Sequence, residues 1–190
     1  MTEVKMKVVG IGGSPRLKGN SNYLLDQVLD ELASHGVETE KIILNEYKIG
    51  PCQAHDNCHD VTECLQQDDA PWILKKFSQA DGVVVASPVY FGTISAQVKT
   101  FMDRSFFLFG HHIQMKAKCY GLIAIAGRGG FNEAIEELKK FTGGPPGTSQ
   151  AKVLILKGPV GGPDKHVKDN PEMVKQARDM GKQMAEILSQ

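Results

Sequence analysis

The chain has 190 residues, 41% of them hydrophobic, and its 22 Lys and Arg balance 22 Asp and Glu. That length fits one domain, residues 1–190, burying roughly 70% of the surface its unfolded chain exposes, so neither disorder nor disulfide staples are expected. Zero net charge without a long basic run argues against nucleic acid as a partner, and apolar runs such as 82–86 and 121–126 fall far short of the roughly 20 residues that span a membrane.

In chain order, Met1 to Lys7 leads into a strand without the apolar stretch of an export signal, which points to a cytoplasmic protein. Runs rich in Val, Ile and Leu at 7–12, 37–44, 82–87, 118–126 and 151–157 read as strands. Helical periods fill about 20–35, 69–79, 94–109, 130–142 and 171–189. In the first helix Leu24, Leu25, Val28, Leu29 and Leu32 share one face, and Gly36 stands where a helix stops. Five strands alternating with five helices make an α/β fold, a flavodoxin-like doubly wound parallel sheet of order 2-1-3-4-5 with helices on both faces. Ligands of such sheets sit beyond the carboxyl ends of strands 1, 3 and 4. Two connections are long, about 45–68 with three cysteines and about 158–170 with many Gly and Pro, and long loops commonly carry function.

The first strand runs into Gly12-Gly13-Ser14-Pro15-Arg16-Leu17-Lys18-Gly19-Asn20-Ser21-Asn22. Small residues admit a ligand close to the backbone, Ser and Asn side chains offer hydrogen bonds, and Arg16 forks onto a phosphate at the positive end of the next helix. No Gly-Lys-Ser/Thr closes the loop, and Pro15 takes the third glycine position of a dinucleotide fingerprint begun at Gly10, so a monophosphate fits better. A plain turn with Ser21 capping the helix is the alternative. The third strand ends in Pro88-Val89-Tyr90-Phe91-Gly92, adjacent aromatics suited to a planar heterocycle. The fourth ends in Gly127-Arg128-Gly129-Gly130, whose unobstructed N–H groups suit ring heteroatoms. At neighbouring strand ends, a phosphate site and a ring site face one crevice.

Ser14-Pro15-Arg16 with Gly19-Asn20-Ser21, Ser87-Pro88-Val89-Tyr90-Phe91-Gly92 and Lys99-Thr100-Phe101-Met102-Asp103-Arg104 together resemble the NADPH-dependent FMN reductase family, in particular its iron-sulfur flavoprotein branch, over roughly residues 6–142. The resemblance implies FMN as cofactor, its phosphate held by Ser14, Pro15, Arg16, Gly19, Asn20, Ser21 and Asn22. It implies the isoalloxazine on Pro88, Val89, Tyr90, Phe91 and Gly92, with the other ring edge against Gly127, Arg128, Gly129 and Gly130. A homodimer or homotetramer is also implied. Helix 94–109 suits one, because Val98, Phe101, Met102, Phe106, Phe107, Leu108 and Phe109 cover more than one face; burial within its own domain is the other reading.

Cys52, Cys58 and Cys64 lie in the long loop, and thiolates this close suit a soft metal or an iron-sulfur cluster. The resembled branch holds [4Fe-4S] with C-x2-C-x2-C-x(4–7)-C; here the register fits at Cys52, Cys58 and Cys64, but His55 stands at the second position. A cluster with a His ligand, a Cys3His zinc site and a metal-free, redox-active loop all stay open. Cys119 reads as a core residue and His59 as a solvated loop residue. His111 and His112 read as a solvated helix end, Lys139 and Lys140 as helix-terminal charges, and Asp103 with Arg104 as an ion pair that fixes subunit or loop geometry.

Hydride passes directly from nicotinamide to flavin, so no catalytic side chain is required. The expected function is FMN-dependent transfer of electrons from NAD(P)H or a ferredoxin-like donor to a small acceptor such as a quinone, flavin, metal ion or oxygen. A non-enzymatic flavodoxin-like electron carrier, which the neutral charge does not favour, and a redox sensor using the cysteine loop are the competing readings.

Overall fold

A computed structural model describes residues 5–142, 151–160 and 165–190. The chain opens with β1 (Lys7–Gly12), α1 (Asn20–Ser34) and β2 (Glu38–Ile43), then α2 (Ala70–Gln79) and β3 (Gly82–Tyr90). A two-residue β4 (Thr93–Ile94) leads to α3 (Ala96–Arg104) and α4 (Phe106–Gly110). It closes with β5 (Cys119–Ala126), α5 (Phe131–Thr142), β6 (Lys152–Pro159) and α6 (Pro171–Leu188). Five strands pair in parallel in the order β2-β1-β3-β5-β6, the order expected, with the numbering moved on by the short β4.

The sheet is buried on both faces, which is why its central strands read as unbroken apolar runs: every residue of β5 and the first six of β3 are buried. One face packs against α2, α3 and α5 through Ile73, Phe77, Phe101, Tyr120 and Leu138. The other meets α1 and α6 through Leu25, Val28, Met180 and Met184.

Two elements differ from expectation near the strand ends that matter. The third strand continues past Ser87 to Tyr90, because β4 folds back antiparallel on it and pairs Val89 with Ile94 and Tyr90 with Thr93. The single helix expected over 94–109 is two. Ser95 caps α3 by accepting from the Val98 N–H at 3.4 Å, and at Ser105 the hydroxyl donates to the Met102 carbonyl at 2.6 Å, competing with the helical ladder where α4 begins. The apolar residues of this stretch divide accordingly, with Val98, Phe101 and Leu108 in the core and Phe106 exposed. Among the described residues no helix is long and apolar enough to cross a membrane. Residues 161–164 of the Gly- and Pro-rich connection, and Met1 to Val4 at the start, lie outside the described residues.

Candidate functional site

Beyond the carboxyl ends of β1, β3 and β5 lies a cleft of about 320 Å³. Ser14, Arg16, Gly19, Asn20 and Ser21 line one end, Pro88, Val89 and Tyr90 one wall, and Ile125, Ala126, Gly127 and Arg128 another, with Val160 and Lys165 completing it. Hydrogen bonds shape the first loop before any ligand arrives. The Gly13 N–H donates to the Ala86 carbonyl at 2.8 Å, and Ser95 Oγ donates to the Gly13 carbonyl at 2.7 Å. A Cβ on Gly13 would run into Val98, so only glycine lets β1 turn away here. Asn22 is buried, and its Nδ2 donates to the Arg16 and Leu17 carbonyls at 3.0 and 3.3 Å. Ser14 Oγ accepts from the Arg16 N–H at 3.1 Å.

These bonds sort the expected phosphate residues. Asn22 folds the loop rather than lining the cleft, and Pro15 stands outside it with its carbonyl accepting from Asn45 Nδ2 at 3.3 Å. Asn20 lines the cleft, yet both ends of its amide are committed: Nδ2 donates to the Lys165 carbonyl at 3.1 Å and Oδ1 accepts from the Val167 N–H at 3.0 Å. Ser21 does not cap the helix. Gly19 holds the cap position without a side-chain bond, and Ser21 Oγ, inside the first turn of α1 and on the cleft, is buried with no hydrogen-bond partner. A buried hydroxyl left unpaired costs about 1–3 kcal/mol, at a helix end that already carries positive partial charge. A phosphate accepts from it and from Arg16 at once, so the residues present fit the phosphate end of FMN.

The ring loops divide similarly. Pro88, Val89 and Tyr90 line the cleft, while Phe91 and Gly92 form the hairpin turn to β4 with φ of 51° and 80°, Phe91 fully exposed. Gly127 and Arg128 line the cleft, but Gly129 and Gly130 do not. Gly130 has φ 85°, and a Cβ there would stand 2.7 Å from Gly92 Cα, so it lets the loop after β5 pack on the hairpin; a Cβ on Gly129 meets nothing. Sequence reasoning missed Ile125, Ala126, Val160 and Lys165. The first two sit at the end of a run read as a strand, and the last two lie in the long connection after β6, which was marked by its length but holds no motif that picks them out.

The cysteine loop is fastened by hydrogen bonds from two distant elements. Among the described residues no three His, Cys, Asp or Glu converge as ligands of one ion. Cys52 is exposed, Cys58 begins a short 3-10 turn (Cys58–Asp60), and Cys64 is half-buried. Among the described residues the expected set of Cys52, His55, Cys58 and Cys64 is not gathered round one point. Arg104, buried at the end of α3, fastens part of this loop. Its Nη1 donates to the Gly50 carbonyl at 3.0 Å and pairs with Asp68, and its Nη2 donates to Cys64 Sγ at 3.3 Å. Asp68 also accepts from the Gly50 and Ala70 N–H groups at 2.9 and 3.0 Å. Burial pushes its carboxyl up, but Arg104 and these two N–H donors outweigh burial and hold it below the usual carboxylate range.

Two further expectations change with this, and the core placing of Cys119 holds. Asp103 pairs with Lys99 rather than with its neighbour Arg104, because adjacent helical side chains diverge. His111 is no solvated end: Nε2 lies 2.9 Å from the Cys58 carbonyl, with the ring stacked on Phe107 at 4.0 Å between centroids. Cys119 is fully buried at the start of β5, and burial pushes its thiol up to about 11.

A family model described as NADPH-dependent FMN reductase matches residues 6–152. An iron-sulfur flavoprotein of Methanocaldococcus jannaschii is 41% identical over 138 residues, 72% of this chain and 71% of that one. Another, from Archaeoglobus fulgidus, is 32% identical over 95% of this chain and 96% of its own length. Among solved structures, the NAD(P)H:quinone oxidoreductase from Methanothermobacter marburgensis superposes with a TM-score of 0.75 at 17% identity, covering 95% of this chain and 98% of that one, which shows a shared fold.

Proposed function

The chain belongs to the NADPH-dependent FMN reductase family, and we propose that its cleft holds FMN, which NAD(P)H reduces and a small acceptor such as a quinone, free flavin or oxygen reoxidises. The observation that carries this reading is Ser21 Oγ, buried and unpartnered beside Arg16 at the amino end of α1, in a cleft whose walls are strand ends. When bound, FMN supplies the ring that accepts a hydride and releases electrons singly or in pairs.

The chain's own task is to bind and orient. Arg16 and Ser21 donate to the phosphate. Pro88, Val89 and Tyr90 on the β3 wall and Gly127 and Arg128 on the β5 wall line the rest of the cleft and would hold the ring there, the glycine leaving backbone N–H groups open to it. Copies of the chain associate as a dimer or tetramer, a reading supported by the exposed rings of Phe91 and Phe106.

Titration of the apoprotein with FMN, followed by flavin fluorescence, tests the site. Arg16→Ala should weaken FMN binding at least about tenfold and Ser21→Ala about fivefold, while riboflavin, which lacks the phosphate, binds all three proteins alike. Undiminished FMN affinity in both variants would remove the phosphate from this end of the cleft.

A further inference from the structure

We infer, on the reading that the cleft holds FMN, that Lys165 is a second cation for the phosphate, delivered to it by the side chain of Asn20. Lys165 stands between β6 and α6, far along the chain from the first loop, yet it lines the same cleft as Arg16 and Ser21. Its position is built rather than incidental. The Asn20 amide spends both hydrogen-bonding ends on this segment, one on the Lys165 carbonyl at 3.1 Å and one on the Val167 N–H at 3.0 Å. Val167 is fully buried, and the Tyr23 ring meets His166 edge-on at 5.2 Å. Residues 165–167 are thus pinned to the first turns of α1, beside the unpartnered Ser21 hydroxyl.

Charge agrees with position. Some lysines, such as Lys7, Lys41, Lys76 and Lys175, are committed to carboxylates. Among the described residues Lys165 takes part in no ion pair, and the residues lining the cleft include Arg16, Arg128 and Lys165 but no Asp or Glu. In a chain of zero net charge, such a cleft selects an anion. Asn20 holds Lys165 at the α1 end, where Ser21 and Arg16 also stand, and that singles out a phosphate monoester rather than the ring.

The test compares FMN with riboflavin on intact protein. Lys165→Gln should raise the FMN dissociation constant about fivefold and leave riboflavin unchanged, added salt should narrow the difference, and Lys165→Arg should restore FMN affinity. Asn20→Ala should remove most of the same advantage, so the Asn20→Ala, Lys165→Gln double variant should bind FMN about as weakly as Asn20→Ala alone. Wild-type FMN affinity in Lys165→Gln, or equal weakening of FMN and riboflavin, would overturn the role of Lys165. A wild-type protein that does not prefer FMN to riboflavin would instead overturn the reading of the cleft.

Discussion

Gly129 and Gly130 stand side by side in one glycine-rich run, and their backbones ask different things of them. Gly130 combines φ 85° with a close approach to Gly92, whereas Gly129 faces open space. Gly130→Ala should therefore cost about 2 kcal/mol or more, while Gly129→Ala stays within about 0.5 kcal/mol, as thermal or denaturant unfolding will show. The run was legible as a site at a strand end, but φ is not written in a string of glycines. The polar residues of the first loop teach the same lesson. That Asn20, Ser21 and Asn22 form a polar cluster was legible; that one clamps a distant segment, one stands unpaired and one folds the loop depends on where each side chain points in the first turn of α1.

Element by element, the cysteine loop is fastened by side chains far apart in sequence. Arg104 reaches it from α3, and His111 from just past α4. Removing one partner of a buried ion pair leaves an uncompensated charge, so Asp68→Asn or Arg104→Met should destabilise the protein by about 3–5 kcal/mol and raise hydrogen exchange across residues 48–70. The pH dependence follows from the direction of the Asp68 shift. A carboxyl held below its ordinary value of about 3.9 contributes its full stabilisation above that value and loses it as pH falls through the lowered one. Loop protection should thus persist at neutral pH, fail in acid below about pH 4, and be lost already at neutral pH in Asp68→Asn. Sequence spacing favoured Asp103 as partner because it is adjacent, yet a helix turns adjacent side chains apart, and the true partner lies 36 residues away in a loop. The break at Ser105 was hidden for a related reason, since the apolar period runs on unchanged through Phe106 to Phe109.

At the scale of the whole molecule, the parallel sheet and its order were legible because the central strands are buried on two faces and each crossover carries a helical period. That order put the ends of β1, β3 and β5 together and so located the cleft. The small additions that finish it were not legible: β4 is two residues long, and Lys165 follows the last strand in a stretch whose role depends on Asn20. The chain's architecture brings the loops after β1, β3 and β5 to one cleft, and on the proposed reading one end takes the phosphate of FMN and the rest its ring. Anaerobic stopped-flow mixing of the FMN-loaded protein with NADPH, and in parallel with NADH, tests this most directly. Rapid bleaching of the flavin absorbance by at least one nicotinamide, followed by its return when a quinone or oxygen is added, is the expected result; bound FMN that stays oxidised with both would contradict the account.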